Sequence, residues 1–171
     1  WASNAGGVSR PRIENLRIGG FVTGMAFTQV VGCKVQNSWV QQRAIYNTDA
    51  SKTGYCVGFH FIADVAATGA MSPLASVELN TCQVDMQGTK NLGSSGGQDS
   101  DRFNDIGFFL DGKDLRDIFL TNCETVQGRY GFKIKTDNND DNWDIHIIRP
   151  IIDAFKKNAI SIEGAGGTGA I

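Results

Sequence analysis

The sequence has little of what marks several common functional sites. Its 171 residues include 3 Pro and 4 Cys, and the formal net charge is −2. No two Cys stand close together, so neither a disulfide framework nor a zinc ribbon is indicated. The near-neutral charge gives no nucleic-acid footprint. The longest weakly charged run, from Tyr55 to Met71, still contains His60 and Asp64 and is too short to span a bilayer.

Two further sites are excluded by missing residues. The Gly-rich runs 93–97 and 164–169 lack the Lys and the strand-to-helix context of a phosphate loop. The loop 135–144 is the densest cluster of oxygen ligands, but an EF-hand frame placed on it has Asn142 where Gly is needed and Ile148 where the bidentate Glu belongs. We interpret this loop as a solvated turn, and the sequence predicts neither a metal site nor a cofactor.

What the sequence does contain is a motif that occurs five times. In its general form the motif is an apolar residue, any residue and a second apolar residue, followed by two turn residues. A Cys, Pro or Leu comes next, then any residue and a third apolar residue. The copies begin at Ile13, Val30, Val77, Ile118 and Ile145. A second motif, small-apolar-any-apolar, follows each copy and begins at Gly24, Gly58, Gly107, Gly131 and Ala159. Self-similarity of this kind predicts a repeat architecture.

The spacing and alternation of these motifs predict the shape of one repeat. The distances from the Cys/Pro/Leu position to the Gly/Ala position are 8, 25, 25, 8 and 9 residues. Alternation with period two predicts strands, and Asn in the turn pair tolerates the left-handed conformation of a sharp bend, as at Asn15, Asn80 and Asn122. We therefore interpret each repeat as one coil of an all-β, right-handed parallel β-helix of about five coils. With coils about 4.8 Å apart, the five span roughly 24 Å.

In such a fold the apolar positions of successive coils stack inside. Cys33, Cys82 and Cys123 are predicted to form an inward ladder of small buried apolar side chains. Because Cys56 is the only Cys left over, assembly under reducing conditions fits best.

The motifs also set the domain boundaries. We assign residues 1–12 to an N-terminal lead-in, 13–163 to the parallel β-helix and 164–171 to a Gly-rich C-terminal linker. The chain opens on Trp1, and neither terminus offers the amphipathic cap that repeat proteins need. We therefore expect a fragment of a longer polypeptide.

The strand-Asn-bend-Cys pattern carries a resemblance. It stands in Leu79-Asn80-Thr81-Cys82 and Leu120-Thr121-Asn122-Cys123, and the Gly-Phe strands and the closing unit 157–162 accompany it. Over about residues 13–163 the chain resembles the pectin-lyase-like right-handed β-helix superfamily, and most of all bacteriophage tailspikes and capsule depolymerases. It departs from calcium-dependent pectate lyases, because it lacks their basic and acidic cluster.

The resemblance implies a homotrimer that binds, and often cleaves, a bacterial surface polysaccharide such as capsule or O-antigen during host adsorption. It implies a place in the virion tail beside other tail proteins, with assembly in the host cytoplasm and action at the bacterial surface. Neither nucleic-acid binding nor membrane insertion is implied.

Alternation along the Gly-containing strands predicts which residues point outward. Two neighbouring outward columns are expected on one face. The first contains Ala26, His60, Phe109, Lys133 and Ser161. The second contains Thr28, Ile62, Asp111, Lys135 and Glu163. We predict that His60, Phe109, Lys133 and Lys135 bind substrate. The alternative is a solvated or trimer-buried sheet face.

A glycosidase needs two carboxyl groups, and Asp111 and Glu163 are the candidate catalytic pair. They stand in one column two coils apart, roughly 9.6 Å by coil spacing, which barely admits an inverting pair. Lys135 lies between them, and a neighbouring ammonium argues against a proton donor here.

Two aromatic residues outside these columns are further candidates for substrate binding. Trp39 lies in the first of two predicted insertions, 34–57 and 83–106, and Trp143 lies in the acidic loop beside carboxylates. The insertions could wall a groove or form trimer contacts.

Three functions stay open at this point. The first is a tailspike or tail-fibre domain that binds polysaccharide, and if it is an enzyme an endo-glycosidase is favoured over a lyase. The second is a non-catalytic structural shaft of a trimeric virion protein. The third is a secreted polysaccharide lyase or epimerase. The fold does not decide among them.

Overall fold

The computed structural model describes residues 10–19, 23–28, 30–42, 57–63, 74–86, 106–112, 115–136 and 144–164. Every regular element in these ranges is a β-strand. The strands are β1 (Arg12–Glu14), β2 (Arg17–Gly19), β3 (Thr23–Thr28), β4 (Lys34–Gln36), β5 (Trp39–Gln42), β6 (Val57–Ala63), β7 (Leu74–Asn80), β8 (Gln83–Met86), β9 (Ile106–Gly112), β10 (Leu115–Thr121), β11 (Glu124–Thr136), β12 (Ile145–Ile148) and β13 (Ile151–Gly164). Within the described ranges there is no helix long and apolar enough to cross a membrane.

The strands pair in parallel throughout the part of the chain that the structure describes. One sheet has the order β1-β4-β7-β10-β12. The other has the order β2-β5-β8-β11-β9-β6-β3, with β13 paired to β11. The predicted all-β class with parallel strands is therefore confirmed.

The pairing arranges the strands in three ladders of five. The start of β11 pairs with β8, and its end pairs with β9. β13 follows β11 along both parts. The first ladder is therefore β1, β4, β7, β10 and β12. The second is β2, β5, β8 and the starts of β11 and β13, and the third is β3, β6, β9 and the ends of β11 and β13. Strands at one level of the three ladders form a tier, and tiers are numbered along the chain.

A column of left-handed residues joins the first ladder to the second. It consists of Asn15, Asn37, Thr81, Asn122 and Arg149, with φ between 47° and 57°. The first four donate their backbone N–H to a carbonyl in the next tier at 2.9–3.1 Å, so the hydrogen bonding continues through the bend. The bend was predicted correctly at Asn15 and Asn122. The prediction for Asn80 was wrong by one position, because its neighbour Thr81 takes the left-handed conformation.

The second repeat was placed wrongly. Val35 pairs with Leu79, so Cys33 stands level with Val77 rather than with Cys82. Ser38 stands at the level of Cys82, and its carbonyl accepts a 2.9 Å hydrogen bond from the N–H of Gln83. The motif that begins at Val30 predicted the wrong alignment of Cys33 with Cys82, because Gly32 is also left-handed, at φ 73°. That turn belongs to a different corner, which is in register with the left-handed Ser76 near the start of β7.

The core is filled by side chains that stack from tier to tier. In the third ladder Phe59, Phe108 and Phe132 form a pile with ring centroids 5.1 and 4.9 Å apart. Phe27 and Phe61 stack beside it at 4.8 Å. All five are at most 7% exposed. Parallel in-register pairing thus brings like residues into contact.

The cysteines behave as the sequence predicted, although their arrangement differs. Cys33, Cys82 and Cys123 are unbonded and at most 1% exposed. Desolvation raises the pKa of Cys33 to about 12. The hydrogen bond to Cys82, together with desolvation, raises the pKa of Cys123. Cys82 and Cys123 are stacked, but Cys33 is not in their column, and Cys56 lies outside the described residues.

Candidate functional site

The two outward columns of the third ladder have the predicted register. In the first column His60 pairs with Phe109, which pairs with Lys133. In the second, Asp111 pairs with Lys135, which pairs with Glu163. We call the set His60, Phe109, Asp111, Lys133, Lys135 and Glu163 the charged face.

Alternation along the strands sets the direction of these side chains. On β6, Phe59 and Phe61 are 0% exposed and point into the core, and His60 between them points outward. The same alternation on β11 places Lys133 between the buried Phe132 and Ile134. The inward side chains therefore fix the backbone that presents the charged face.

An aromatic pile lies under the charges. The His60 imidazole stacks on Phe109 at 4.8 Å with an interplanar angle of 9°. The Lys133 ammonium lies 5.8 Å from the centroid of the same ring and 4.8 Å from that of Tyr130. Phe109 itself is 4% exposed. Its ring therefore supports His60 and Lys133 and is not an exposed platform for a sugar.

The charged groups of the face are linked to one another. Lys133 Nζ lies 3.0 Å from Glu163 Oε2. Asp111 lies between two partners, with Lys135 Nζ 3.8 Å from its Oδ1 and His60 Nε2 3.7 Å from its Oδ2. Glu163 and Lys135 are the most accessible, with 46% and 43% of their side chains exposed. The face thus offers cations and anions side by side, and both contacts of Asp111 are long enough to rearrange.

The candidate catalytic carboxyls are brought into one column but not into contact. Asp111 and Glu163 stand on either side of Lys135 in the register, and each lies within ion-pair distance of a lysine. Each candidate carboxyl thus stands beside a cation and can also accept hydrogen bonds from a polar ligand.

A second apolar cluster beside the face was missed by the sequence reasoning. Val57, Ile106, Phe109 and Tyr130 form a cluster separate from the main core, each at most 4% exposed. Val57, Ile106 and Tyr130 each stand directly before a glycine of the small-apolar-any-apolar motif. The Cβ of an alanine at Gly58 or Gly107 would point at Val84 or Thr125 of the second ladder. These glycines therefore face inward and break the alternation. An apolar residue before three of the four motif glycines was the signal that could have revealed the cluster.

Trp39 is not part of the charged face. It lies on β5 in the second ladder, where its ring is 5.5 Å from the guanidinium carbon of Arg17. The predicted insertion 34–57 was wrong in this part, because β4 and β5 occupy 34–42, and β8 likewise occupies the start of the second insertion. Residues 43–56 and 87–105 of the insertions, and Trp143, lie outside the described residues.

The outer surface of the first ladder carries two contacts that the sequence did not predict. His146 stacks on Phe119 with centroids 4.6 Å apart, and its Nε2 lies 2.6 Å from Asp144 Oδ1. In the same column Lys34 Nζ pairs with Glu78 Oε2 at 2.5 Å. Within the described ranges, no three His, Cys, Asp or Glu side chains are placed to hold a metal ion.

No protein-family model, curated protein or solved structure matches this chain.

Proposed function

We propose that this chain is a right-handed parallel β-helix domain of about five coils, of the bacteriophage tailspike kind, that binds a bacterial surface polysaccharide through the charged face. The fold part of the proposal is supported by three parallel ladders of five strands and by the left-handed column that follows the first ladder. In-register stacking of like side chains is what a repeat protein requires, since each repeat contacts only its neighbours.

The observation that carries the functional part is the composition of the charged face. Lys133, Lys135, Asp111 and Glu163 supply donors and acceptors over neighbouring strands, at the spacing of the sheet. Hydroxyl groups of a polysaccharide bond well to such ionised groups, because charge-assisted hydrogen bonds are the stronger ones. The sheet fixes the backbone positions of these groups, so on binding only their side chains have to be ordered.

The assembled protein is proposed to be a homotrimer of parallel domains in the virion tail, next to other tail proteins. It is made in the host cytoplasm and meets capsule or O-antigen outside the bacterium. These features come with the resemblance to tailspikes. The homotrimer is tested separately from the binding site, by the oligomeric state in solution.

A non-catalytic shaft segment is the second candidate. It is favoured by the internal pairing of the face, where each carboxylate already has a lysine partner within 4 Å. In such a network the charged groups of the face are paired with one another, so they need no ligand as a partner. A shaft would bind no polysaccharide, and this is the outcome that separates the two candidates.

Cleavage of the polysaccharide is tested by substituting the candidate catalytic pair. The protein is incubated with purified capsule or O-antigen, binding is measured, and the products are sized. We expect binding without shortening. If the chains shorten, Asp111→Ala and Glu163→Ala should each abolish the shortening, because a glycosidase needs both carboxyls.

The outcomes divide the possibilities cleanly. Shortening that survives either substitution removes the pair from consideration. Shortening with the ultraviolet absorbance of an unsaturated product assigns a lyase. Absence of binding by the folded protein leaves the structural shaft.

A further inference from the structure

One polar atom of the charged face has no partner. His60 Nε2 is buried and makes no hydrogen bond, although Asp111 Oδ2 lies 3.7 Å away. The imidazole cannot easily turn away, because it is stacked on Phe109 and only 12% of its side chain is exposed. Buried nitrogen atoms are seldom left unpaired without a reason.

The charges around His60 nearly cancel one another. From β9 Asp111 faces the ring, and from β11 Lys133 and Lys135 lie in the neighbouring positions of the two columns. Glu163 on β13 completes the set, and its carboxylate holds Lys133. On the other side β3 places Ala26 and Thr28 opposite this part of β6, and neither is charged. The two lysines and the two carboxylates sum to zero, so protonation of the imidazole adds one positive charge to a set of four charges that otherwise cancel.

Arg129 adds a charge that does not vary with pH in the range where histidine titrates. Its guanidinium carbon lies 5.9 Å from the Tyr130 ring. It makes the net charge of the face more positive by the same amount at every pH. The change in that net charge when His60 is protonated therefore stays the same.

We propose that protonation of His60 is a charge switch for the charged face, which makes it bind anionic polysaccharide more tightly as the pH falls. The proton comes from solvent and adds to the imidazole, which then carries N–H groups on both ring nitrogens. The imidazolium closes the 3.7 Å gap to Asp111 and satisfies the buried Nε2. The face gains one positive charge.

Protonation of His60 affects a bound ligand through Lys135. In the structure its ammonium lies 3.8 Å from Asp111, which also faces the His60 imidazole. A protonated His60 competes for the same carboxylate, so Lys135 interacts less strongly with Asp111 and more strongly with an anionic group of a ligand. Of the two lysines it has the more exposed side chain, at 43% against 14%.

The composition of the chain makes a clean test possible. It has two histidines, so His146→Gln leaves His60 as the only imidazole. Binding of this variant to hyaluronan, a carboxylated polysaccharide, is measured at about pH 5.5 and about pH 8, within the range where histidine changes charge, at constant ionic strength. Dextran is the uncharged control. We expect hyaluronan to bind about five-fold more tightly at the lower pH, as one added charge near the ligand anion predicts.

His60→Asn in the same background replaces the imidazole with a polar amide that does not titrate. The pH dependence should vanish in this double variant. A dependence that survives in it would overturn the role of His60, as would equal affinity of the single-imidazole variant at both pH values.

A measurement without ligand separates this inference from the proposed function on which its ligand rests. In the His146→Gln variant, nuclear magnetic resonance follows the His60 ring, the Asp111 carboxyl carbon and the Lys135 ε-resonances through the titration. The switch requires all three to titrate together. If Asp111 and Lys135 do not follow the imidazole, the switch is refuted. If they do follow it and no polysaccharide binds at either pH, the proposed function fails and the switch stands.

Discussion

Phe108→Ala should lower the free energy of unfolding by about 4 kcal/mol, because it deletes a fully buried aromatic ring from the core. Phe108 is 0% exposed and is the middle ring of the pile formed with Phe59 and Phe132. Its loss therefore weakens the contacts of the third tier with both the second and the fourth. Urea denaturation followed by circular dichroism measures the change.

Phe119→Ala is the matched control for this prediction. Phe119 points outward from the first ladder, is half-buried and stacks on one ring, His146. Its removal should cost about 1 kcal/mol, the value of one aromatic pair. Equal losses for the two variants would show that Phe108 is not in the middle of an interior pile, and the register of β6, β9 and β11 would then be wrong.

Gly107→Ala should destabilise the protein by about 3 kcal/mol, at the upper end of the cost of overpacking. An added Cβ would lie 2.7 Å from the carbonyl oxygen of Gly131 and 2.3 Å from Thr125 Oγ1. The first of these atoms belongs to the backbone of the next tier and cannot move without disturbing the pairing of β9 with β11. Thermal and urea unfolding of the variant measure the effect.

The same contact explains the small residue of the repeated motif. An added Cβ at Gly24, Gly58 or Gly131 would likewise lie 2.6 Å from a carbonyl oxygen of the next tier. Ala159 holds this position in the fifth tier, after which no described strand follows. The motif glycine is therefore needed where another strand stacks on it.

Gly19→Ala is the control for the glycine prediction. Gly19 also lies in a strand, but an added Cβ would meet nothing nearer than the Gln41 carbonyl oxygen at 3.6 Å, an ordinary contact. We expect a change within about 0.5 kcal/mol in either direction. If Gly107→Ala were equally harmless, the tiers would have to be farther apart at this column than the structure places them.

The strand pairing of the third ladder was predictable because one residue in two is strongly apolar there. Phe59, Phe108 and Phe132 repeat after the same glycine, and a slip of one residue would turn all three rings outward. The register of the charged face followed directly from that constraint.

The second repeat was not predictable in the same way. Pairs of left-handed residues five positions apart also occur at Ser76 and Thr81 and at Asp117 and Asn122, but only in the second repeat is the earlier residue a glycine followed by a Cys. Gly32 and Asn37 both satisfy the pattern of a bend, and the apolar residues near them fit either frame. Pairing with the neighbouring tiers, where Val35 meets Ile13 and Leu79, distinguishes the frames. Local sequence carries no information on those partners.

Contacts between side chains of different ladders or columns were also beyond the sequence. The diagonal pairing of Lys133 with Glu163 depends on rotamers, which alternation does not fix. The burial of Phe109 depends on Tyr130 and its neighbours, which lie where motif glycines break the alternation. The outward residues could therefore be named from the sequence, but their exposure and partners could not.

The most direct test of the proposed function compares lysines on two faces of the same protein. The double variant Lys133→Ala/Lys135→Ala removes both cations of the charged face, and Lys34→Ala removes a cation of the first ladder that is paired with Glu78. Calorimetric titration with the capsule or O-antigen that the parent protein binds gives the affinities. Loss of hydrogen bonds to charged groups should weaken the double variant by a factor on the order of ten or more, while Lys34→Ala keeps the parent affinity. Unchanged affinity in the double variant, or an equal loss in Lys34→Ala, would contradict a binding site on the charged face.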